Sequence, residues 1–266
     1  KLARELGCEI NNIKGSGGNN RITKKDLYNY VKDYKTNNLN TKTKSNNLFN
    51  DLSKWGLVEK INLNSIRKTS ASRLLNSWNT LPHVTQFDNA DITELDKIVK
   101  LLKKVNTDKI AKVSYMPFFI KAMSIILHKI PIFNTSFNSD DGSSIIQKHY
   151  YNIGIAVNTD KGLIVPVIKN VNNKSIKSIA IELTTLIDKA KKGKLTIEEM
   201  SGGCITISSL GNLGGTYFTP IINSPEVAIL GISKIEIKPI YKNKKFIARK
   251  ILPISLSYDH RVINGA

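Results

Sequence analysis

The last twelve residues of the chain read Ser255-Leu256-Ser257-Tyr258-Asp259-His260-Arg261-Val262-Ile263-Asn264-Gly265-Ala266. In this stretch an apolar strand runs directly into Asp259, His260 and Arg261. A histidine at the end of a strand, flanked by both charges, can act as a general base because imidazole exchanges protons near neutrality. The same pattern also fits a polar junction between a strand and a helix, in which His260 caps or packs. This segment alone leaves both interpretations open.

A second informative stretch is bounded by glycines and reads GGCITISSLGNLGG from Gly202 to Gly215. A strand alternates its side chains between two faces, so Thr206 and Ser208 are expected on the same face. Hydroxyls placed beside glycines can donate hydrogen bonds to a developing oxyanion. The alternative is an ordinary sheet strand with a solvated hydroxyl face. The glycines match neither G-x-G-x-x-G nor a P-loop, and the G-x-S-x-G elbow of serine hydrolases is missing.

The part of the chain after Asp51 mixes helical and strand patterns. The periodicity predicts helices at 65–78, 92–104, 116–130 and 175–192. It predicts strands at 83–87, 151–157, 163–169, 204–209, 227–235, 246–249 and 252–258. Because these elements follow no strict βαβ repeat, we expect a mixed-sheet α/β sandwich rather than a doubly wound fold.

The first 35 residues form a separate small unit in this interpretation. Apolar residues from Leu2 to Ile10 share one helical face, and a glycine-rich loop follows at 15–22. Thr23 and Asp26 have the spacing of a capping box that starts a second helix. Residues 36–48 are polar and aperiodic, as expected of a flexible linker. The expected division is therefore 1–35, linker 36–48 and a C-terminally truncated domain 49–266.

The net charge of the chain raises a nucleic-acid hypothesis. Forty Lys and Arg residues against 21 Asp and Glu residues give a formal charge of +19. The lysines are scattered, however, and no arginine-rich block or basic helix stands out, so a general compositional bias explains the charge equally well. We therefore expect no nucleic-acid partner.

Composition also limits the compartment and the cofactors. Cys8 and Cys204 are far apart, and the four histidines share no ligand spacing, so neither a disulfide framework nor a metal site is expected. No apolar run approaches the roughly 18 residues of a membrane span. We expect a reducing, cytoplasmic location without membrane attachment. The sequence starts at Lys1 and stops within a pattern at Ala266, which suggests a piece of a longer protein.

The segment from Asp259 to Ala266 resembles the D-H-R-V-x-[DN]-G-A motif of the 2-oxoacid dehydrogenase acyltransferases, the E2 components of their complexes. Further similarity lies in three pairs of stretches: 81–87 with 90–95, 154–157 with 162–168, and 206–211 with 214–215. Residues 1–35 are similar to the peripheral subunit-binding domain, whose loop runs G-[ST]-G-x-x-G-R-[IV]. Within the family, the likeness is greatest to the members from bacterial pyruvate dehydrogenase complexes.

This resemblance implies a chloramphenicol-acetyltransferase-like catalytic domain that forms homotrimers, assembled into a large core, with active sites between subunits. The implied reaction moves an acetyl group between a lipoyl group, carried on domains absent from this sequence, and coenzyme A, with no metal. His260 would be the general base, Ser208 would stabilise the oxyanion, and Asn264 would orient the site. The N-terminal unit, with Arg21 in contact, would hold the E1 pyruvate dehydrogenase and E3 dihydrolipoamide dehydrogenase components.

The sequence departs from the family pattern at two positions, and it also fits two other functions. Asn20 replaces the usual glycine before Arg21, a small cost because asparagine tolerates left-handed backbone. Asn264 stands where most members have Asp, so it can donate or accept a hydrogen bond but cannot form an ion pair. The basic N-terminal unit would also suit a nucleic-acid binder, and Asn264 would also suit a scaffold that has lost its catalysis.

Overall fold

The structure, a computed structural model, describes residues 13–18, 21–30, 52–105, 113–211 and 213–265 of the 266. The chain divides into two compact units, Lys1–Asn62 and Leu63–Ala266. The expected linker at 36–48 and the expected first helix before Ile10 lie outside the described residues. The division into 1–35, 36–48 and 49–266 therefore stays a prediction.

The described core of the N-terminal unit surrounds a helix at 24–30. Ile13 and Leu27 are buried together. The predicted cap is confirmed: the Asp26 N–H donates to Thr23 Oγ1 at 3.3 Å, and the Thr23 N–H donates to Asp26 Oδ2 at 2.8 Å. Asp26 also accepts bonds from the N–H and the hydroxyl of Ser16, at 3.0 and 2.6 Å. One carboxylate thus ties the glycine-rich loop to the start of the helix.

These bonds make the stability of the N-terminal unit depend on pH. The bonds from Ser16 and Thr23 hold the pKa of Asp26 well below its usual range. The folded unit therefore binds this proton less readily than the unfolded chain does, so the stabilisation is present above about pH 4 and is lost as the pH falls further. We expect Asp26→Asn to lower the melting temperature of this unit at pH 7 and to lower it less at pH 2, as followed by the methyl NMR signals of Ile13 and Leu27. Equal melting of both proteins at pH 7 would contradict this role.

Four helices and eleven strands are described in the second unit. The helices are α1 Ser65–Thr80, α2 Thr93–Val105, α3 Met116–Lys129 and α4 Ile176–Lys192. The first seven strands are β1 His83–Asp91, β2 Thr135–Phe137, β3 Ile145–Gln147, β4 Ile153–Ile155, β5 Val157–Thr159, β6 Gly162–Ile164 and β7 Val167–Ile168. The remaining strands are β8 Ile205–Ser209, β9 Ala228–Ile232, β10 Glu236–Lys242 and β11 Lys245–Asp259. Short 3₁₀ turns lie at Pro131–Asn134, Val171–Asn173 and Glu198–Met200.

Side-chain caps set the helix starts where the sequence has Asn or Ser. Asn64 accepts a bond from the Arg67 N–H at the start of α1, at 2.8 Å. Ser175 accepts a bond from the Ser178 N–H at the start of α4, at 3.1 Å. Helix α4 ends at Gly193, whose φ of 66° is left-handed and favours glycine. Local chemistry thus determines these three boundaries.

One large sheet organises the unit. Its order is β1-β11-β9-β8-β4-β7, and β10 pairs with β11 outside this path. Strands β4, β8 and β9 are parallel to one another, whereas the other pairs in this sheet are antiparallel. Two small sheets, β2-β3 and β5-β6, complete the described strands. The predicted mixed-sheet α/β architecture is confirmed.

The sheet has an apolar face and a polar face at β8. Ile205 and Ile207 are fully buried in a core that includes Ile120 of α3 and Ile179 of α4. Burying that many aliphatic side chains supplies most of the driving force for this arrangement. Alternation places Thr206 and Ser208 on the opposite face. The polar face therefore carries the hydroxyls predicted from the sequence.

The strand predictions were wrong at the C-terminal hairpin. We expected two strands at 246–249 and 252–258, but the structure has one strand, β11, paired along its first half with the unpredicted β10. Arg249 and Lys250 interrupt the apolar pattern there. Their charges are paired with Asp91 and Asp96, at 2.6 Å each, so the strand continues through them. A sequence pattern does not contain these tertiary partners.

The paired strands expected at 151–157 and 163–169 are each split. β4 and β7 pair within the large sheet, while β5 and β6 form a separate hairpin. The short strands β2 and β3 were not predicted, since three-residue strands have no measurable periodicity. Among the described residues, no helix is long and apolar enough to span a membrane.

Candidate active site

The segment at Asp259–Ile263 leaves the sheet in a hydrogen-bonded turn. The N–H groups of Val262 and Ile263 donate to the Asp259 carbonyl at 3.0 and 2.9 Å. The His260 N–H donates to the Pro82 carbonyl at 3.0 Å. The backbone of His260 is thus held on both sides while its side chain is exposed. An exposed imidazole on a fixed backbone can accept a proton from a group that approaches from outside.

An ion pair anchors this turn. Asp259 is fully buried, and Arg261 binds it through its backbone N–H at 3.0 Å and through Nη2 at 2.7 Å. The guanidinium of Arg261 also lies over the ring of Phe137, 4.0 Å from its centroid. Phe137 belongs to strand β2, which no sequence pattern indicated. Through this contact with Arg261, strand β2 packs against the histidine turn.

His83 is a neighbour of the turn that sequence reasoning did not single out. It pairs with Asp259 across β1 and β11. Its Nδ1 lies 2.7 Å from the Leu81 carbonyl, and its Nε2 accepts a bond from the Ile222 N–H at 3.0 Å. These two bonds require the neutral tautomer with the proton on Nδ1. Both ring nitrogens of His83 therefore have hydrogen-bond partners. The ring nitrogens of His260 have none among the described residues.

Ser208 lies near the end of β8 and is half-buried. It pairs with Gly231 of β9, and Gly231 in turn pairs with Ser255 of β11. A Cβ on Gly231 would lie 2.8 Å from the ring of Phe218, so the absent side chain leaves room for that ring. The Ser208 hydroxyl has no hydrogen-bond partner in the described part of the chain. It can therefore donate to an incoming group.

A single chain does not bring His260 and Ser208 together. The register places Ser255, not His260, across the sheet from Ser208, and His260 follows five residues later, directly after the end of β11. With about 3.3 Å per residue and about 4.8 Å per strand, the two Cα atoms are about 19 Å apart. No side-chain rotation closes that gap to hydrogen-bond distance. Any reaction that uses both residues must take them from two different chains.

The other predicted site residues lie at the surface. Asn264 follows the turn four residues after His260 and is exposed. Arg21 is exposed in the N-terminal unit, where its carbonyl accepts a bond from the Gly17 N–H at 2.9 Å.

Cys204 is buried and donates to the Tyr150 carbonyl at 3.1 Å. No cluster of three potential metal ligands occurs within the described ranges.

Comparison with known families decides the class of this protein. Residues 56–266 match the model of the 2-oxoacid dehydrogenases acyltransferase catalytic domain.

The chain belongs to the 2-oxoacid dehydrogenase acyltransferase family.

Residues 1–27 match a second model, that of the E3 binding domain. The family predicted from the terminal motif is thereby confirmed, as is the presence of a small subunit-binding domain before the acyltransferase domain.

Two curated relatives of this acyltransferase are longer than the chain. It is 47% identical over 272 residues to the dihydrolipoyllysine-residue acetyltransferase component of the pyruvate dehydrogenase complex of Buchnera aphidicola subsp. Acyrthosiphon pisum. All of this chain aligns with 67% of that one. It is 43% identical to the corresponding component of Haemophilus influenzae, again over its full length and 50% of the relative. The chain thus spans between half and two thirds of these relatives.

Solved structures of other members share its fold. The dihydrolipoamide acetyltransferase of Azotobacter vinelandii superposes with a TM-score of 0.79 at 46% identity, covering 81% of this chain and 88% of that one. A probable dihydrolipoamide acetyltransferase from Listeria monocytogenes gives 0.74 at 33% identity, over 78% and 88%. The predicted fold class of the acyltransferase domain is confirmed by these likenesses.

Proposed function

We propose that this chain is the core-forming part of a dihydrolipoyllysine-residue acetyltransferase that moves an acetyl group between a dihydrolipoyl arm and coenzyme A in a pyruvate dehydrogenase complex. The observation that carries the proposal is the spacing of a serine, a histidine and an asparagine, which this chain shares with a relative. The Azotobacter vinelandii enzyme was studied for the role of one serine, one histidine and one asparagine in its catalytic mechanism, which stand 52 and then 4 positions apart. Ser208, His260 and Asn264 have that same spacing.

In the proposed mechanism, the neutral imidazole of His260 takes the proton from the attacking coenzyme A thiol. The thiolate adds to the carbonyl carbon of the acetyl-dihydrolipoyl thioester, and the carbonyl π electrons move onto oxygen. The Ser208 hydroxyl donates a hydrogen bond to that oxyanion. Collapse of the intermediate breaks the bond to the lipoyl sulfur, which receives the proton from His260. Asn264, one turn beyond His260, orients the site by hydrogen bonding.

The geometry supports a site shared between copies. Because His260 and Ser208 are about 19 Å apart within one chain, a complete site needs His260 from one subunit and Ser208 from another. Closed cyclic symmetry then provides one such site at each interface, so a homotrimer holds three. We propose this trimer as the unit from which a larger core is built. A related solved structure is the cubic core of a pyruvate dehydrogenase complex.

The N-terminal unit has a different role in this proposal. The match of residues 1–27 to the E3 binding domain supports capture of dihydrolipoamide dehydrogenase, and we extend this to the E1 pyruvate dehydrogenase component. Arg21 is exposed beside the loop that Asp26 organises. We propose that Arg21 contacts an acidic surface of these partners, and that residues 36–48 link this unit to the acyltransferase domain.

Replacing Arg21 with alanine is expected to weaken partner capture. Charged contacts mainly raise the association rate and are screened by salt, so the loss should be larger at 50 mM than at 500 mM salt, on the order of tenfold at low salt. Surface plasmon resonance with E1 and E3 components measures it. Lys14→Ala removes an exposed positive charge from the same unit and serves as the control. Unaltered capture together with impaired acetyl transfer would show that the small unit serves the active site instead.

A spectrophotometric assay with free dihydrolipoamide and acetyl-CoA tests the proposed function directly. We expect acetyl-dihydrolipoamide to form in proportion to enzyme, with coenzyme A as the second product. A protein that folds and assembles but forms no product would overturn the proposal and favour a scaffold without catalysis.

A further inference from the structure

A buried carboxyl group lies between the two halves of the proposed site. Glu226 is only 2% exposed. Its Oε1 accepts bonds from the Thr206 hydroxyl at 2.9 Å and from Asn223 Nδ2 at 3.1 Å. Its Oε2 is buried and has no hydrogen-bond partner among the described residues. The mechanism above does not use this group.

Two glycines make room for it. A Cβ at Gly203 would lie 2.7 Å from Glu226 Oε1, and a Cβ at Gly154 would lie 2.7 Å from the Thr206 hydroxyl. Real Cβ atoms do not approach so closely, so any side chain at either position would displace the bonded pair. The hydroxyl and the carboxyl are therefore closely fitted into the protein interior.

Glu226 and its neighbour Val227 bond to the two elements that carry the proposed catalytic residues. Thr206 lies two residues before Ser208 on the same face of β8. On the other side, the carbonyl of Val227, the next residue, accepts the Asp259 N–H at 2.9 Å, one residue before His260. The Glu226 side chain thus bonds to the strand of Ser208, while the backbone of the next residue bonds to the strand end that precedes the histidine turn.

We propose that Glu226 is a positioning residue for acetyl transfer, which holds the Ser208 strand in place through Thr206. This inference rests on the proposed function and concerns the same site. Oxyanion donors act only when they are preorganised, and small displacements of a catalytic group are costly even when their cause is remote from the reacting atoms. The buried pair of Thr206 and Glu226 can hold the Ser208 strand in position, because its hydrogen bond forms only when the strand lies at the right distance from Glu226.

The protonation state of Glu226 matters for this role. Burial raises the pKa of Glu226 to about 7, although the bonds from Thr206 and Asn223 oppose that rise. The charge of Lys148 also opposes the rise, and burial lowers the pKa of Lys148 itself. Glu226 in turn contributes to the raised pKa of the buried Cys204 thiol. With a pKa of about 7, the Glu226 carboxyl is mostly neutral at pH 6.5 and below.

Ionisation of Glu226 should make both the stability of the protein and kcat depend on pH. Because the folded pKa lies above that of an unfolded glutamate, the folded protein loses stability as the pH rises from about 4.5 to 7. Above pH 7 Glu226 ionises inside the protein, where Lys148 and the bonds from Thr206 and Asn223 offset only part of the cost of burying its charge. We expect kcat to decline on this alkaline side in the wild-type enzyme. Glu226→Gln stays neutral at every pH and should keep kcat there.

A double-mutant cycle in the full-length trimeric enzyme tests whether Glu226 acts through Thr206. Thr206→Val removes the hydroxyl at nearly constant volume, and Glu226→Ala removes the acceptor; each should lower kcat about tenfold at pH 6.5 with little change in KM. The double variant should be no slower than either single variant. Thr206→Ser, which keeps the hydroxyl, should restore most of the rate. Glu198→Gln alters an exposed carboxyl and should leave kcat unchanged.

Three results would overturn the inference. They are wild-type kcat in both single variants, fully multiplicative losses in the double variant, and an unchanged alkaline decline in Glu226→Gln. Thermal melting of each variant separates misfolding from mispositioning, and Glu226→Gln provides a measurement if the alanine variant does not fold. Failure of the proposed function is distinguishable, because it would show as absence of acetyl transfer in the wild-type enzyme itself.

Discussion

Replacing His260 with alanine is expected to reduce acetyl transfer by about 10²–10⁴-fold, the usual contribution of a positioned general base. The side chain is exposed, with its ring centroid 6.2 Å from that of Tyr258, and the backbone N–H already bonds to the Pro82 carbonyl. The change should therefore remove the proton acceptor without altering the fold. Steady-state rates with dihydrolipoamide and acetyl-CoA measure the loss.

A second histidine provides the matched control for this experiment. His128 is exposed on α3 and bonds to the Tyr151 hydroxyl at 3.0 Å. His128→Ala should retain wild-type rates, and both variants should elute as trimers. If His260→Ala kept more than about a tenth of the wild-type rate, the assignment of His260 as general base would be wrong.

Two inactive variants are expected to restore activity to each other when they share a trimer. Ser208→Ala alone should lower the rate about 10²–10³-fold, as for the loss of one oxyanion donor. Since His260 and Ser208 of one chain belong to different sites, a mixed trimer contains interfaces with an intact His260 facing an intact Ser208. Every mixed trimer has one complete site out of three, whichever chain is in the majority, so about a third of the wild-type activity should return.

Co-expression of the Ser208→Ala and His260→Ala chains carrying different affinity tags, followed by purification through both tags, gives the mixed trimers. A chain with both changes, co-expressed with the His260→Ala chain, is the control, because no interface in that mixture has an intact histidine. Activity no higher than that of the single variants would show that both residues act within one chain, against the register of β8, β9 and β11.

Several features of the fold were accessible from the sequence because they depend on near neighbours. The helix caps at Ser175 and Thr23 involve side chains within three residues of the N–H groups that they accept from. The period of two around Thr206 distinguishes the core face of β8 from its polar face without any other strand. The mixed α/β class follows from such patterns taken together.

The strand boundaries around β10 and β11 were not accessible in the same way. Lys250 is a strand residue because Asp96, more than 150 residues earlier, bonds to it at 2.6 Å. Likewise, Phe137 contributes to the site because its ring lies under Arg261, and β2 has no pattern of its own. Contacts between distant parts of the chain decide these assignments, and a local pattern has no information about them.

For the candidate site, the sequence by itself determined which residues carry the chemistry: an imidazole at a strand end, a hydroxyl on the polar face of a glycine-bounded strand, and the motif that relates both to the acyltransferases. Only the tertiary structure decided where they lie. The register of β8, β9 and β11 separates His260 from Ser208. Glu226 bonds to Thr206 of the Ser208 strand, and the adjacent Val227 bonds to Asp259 before the histidine turn. The physical reason is that side-chain type sets what a group can do, whereas strand pairing and burial, which join distant segments, set what it can reach.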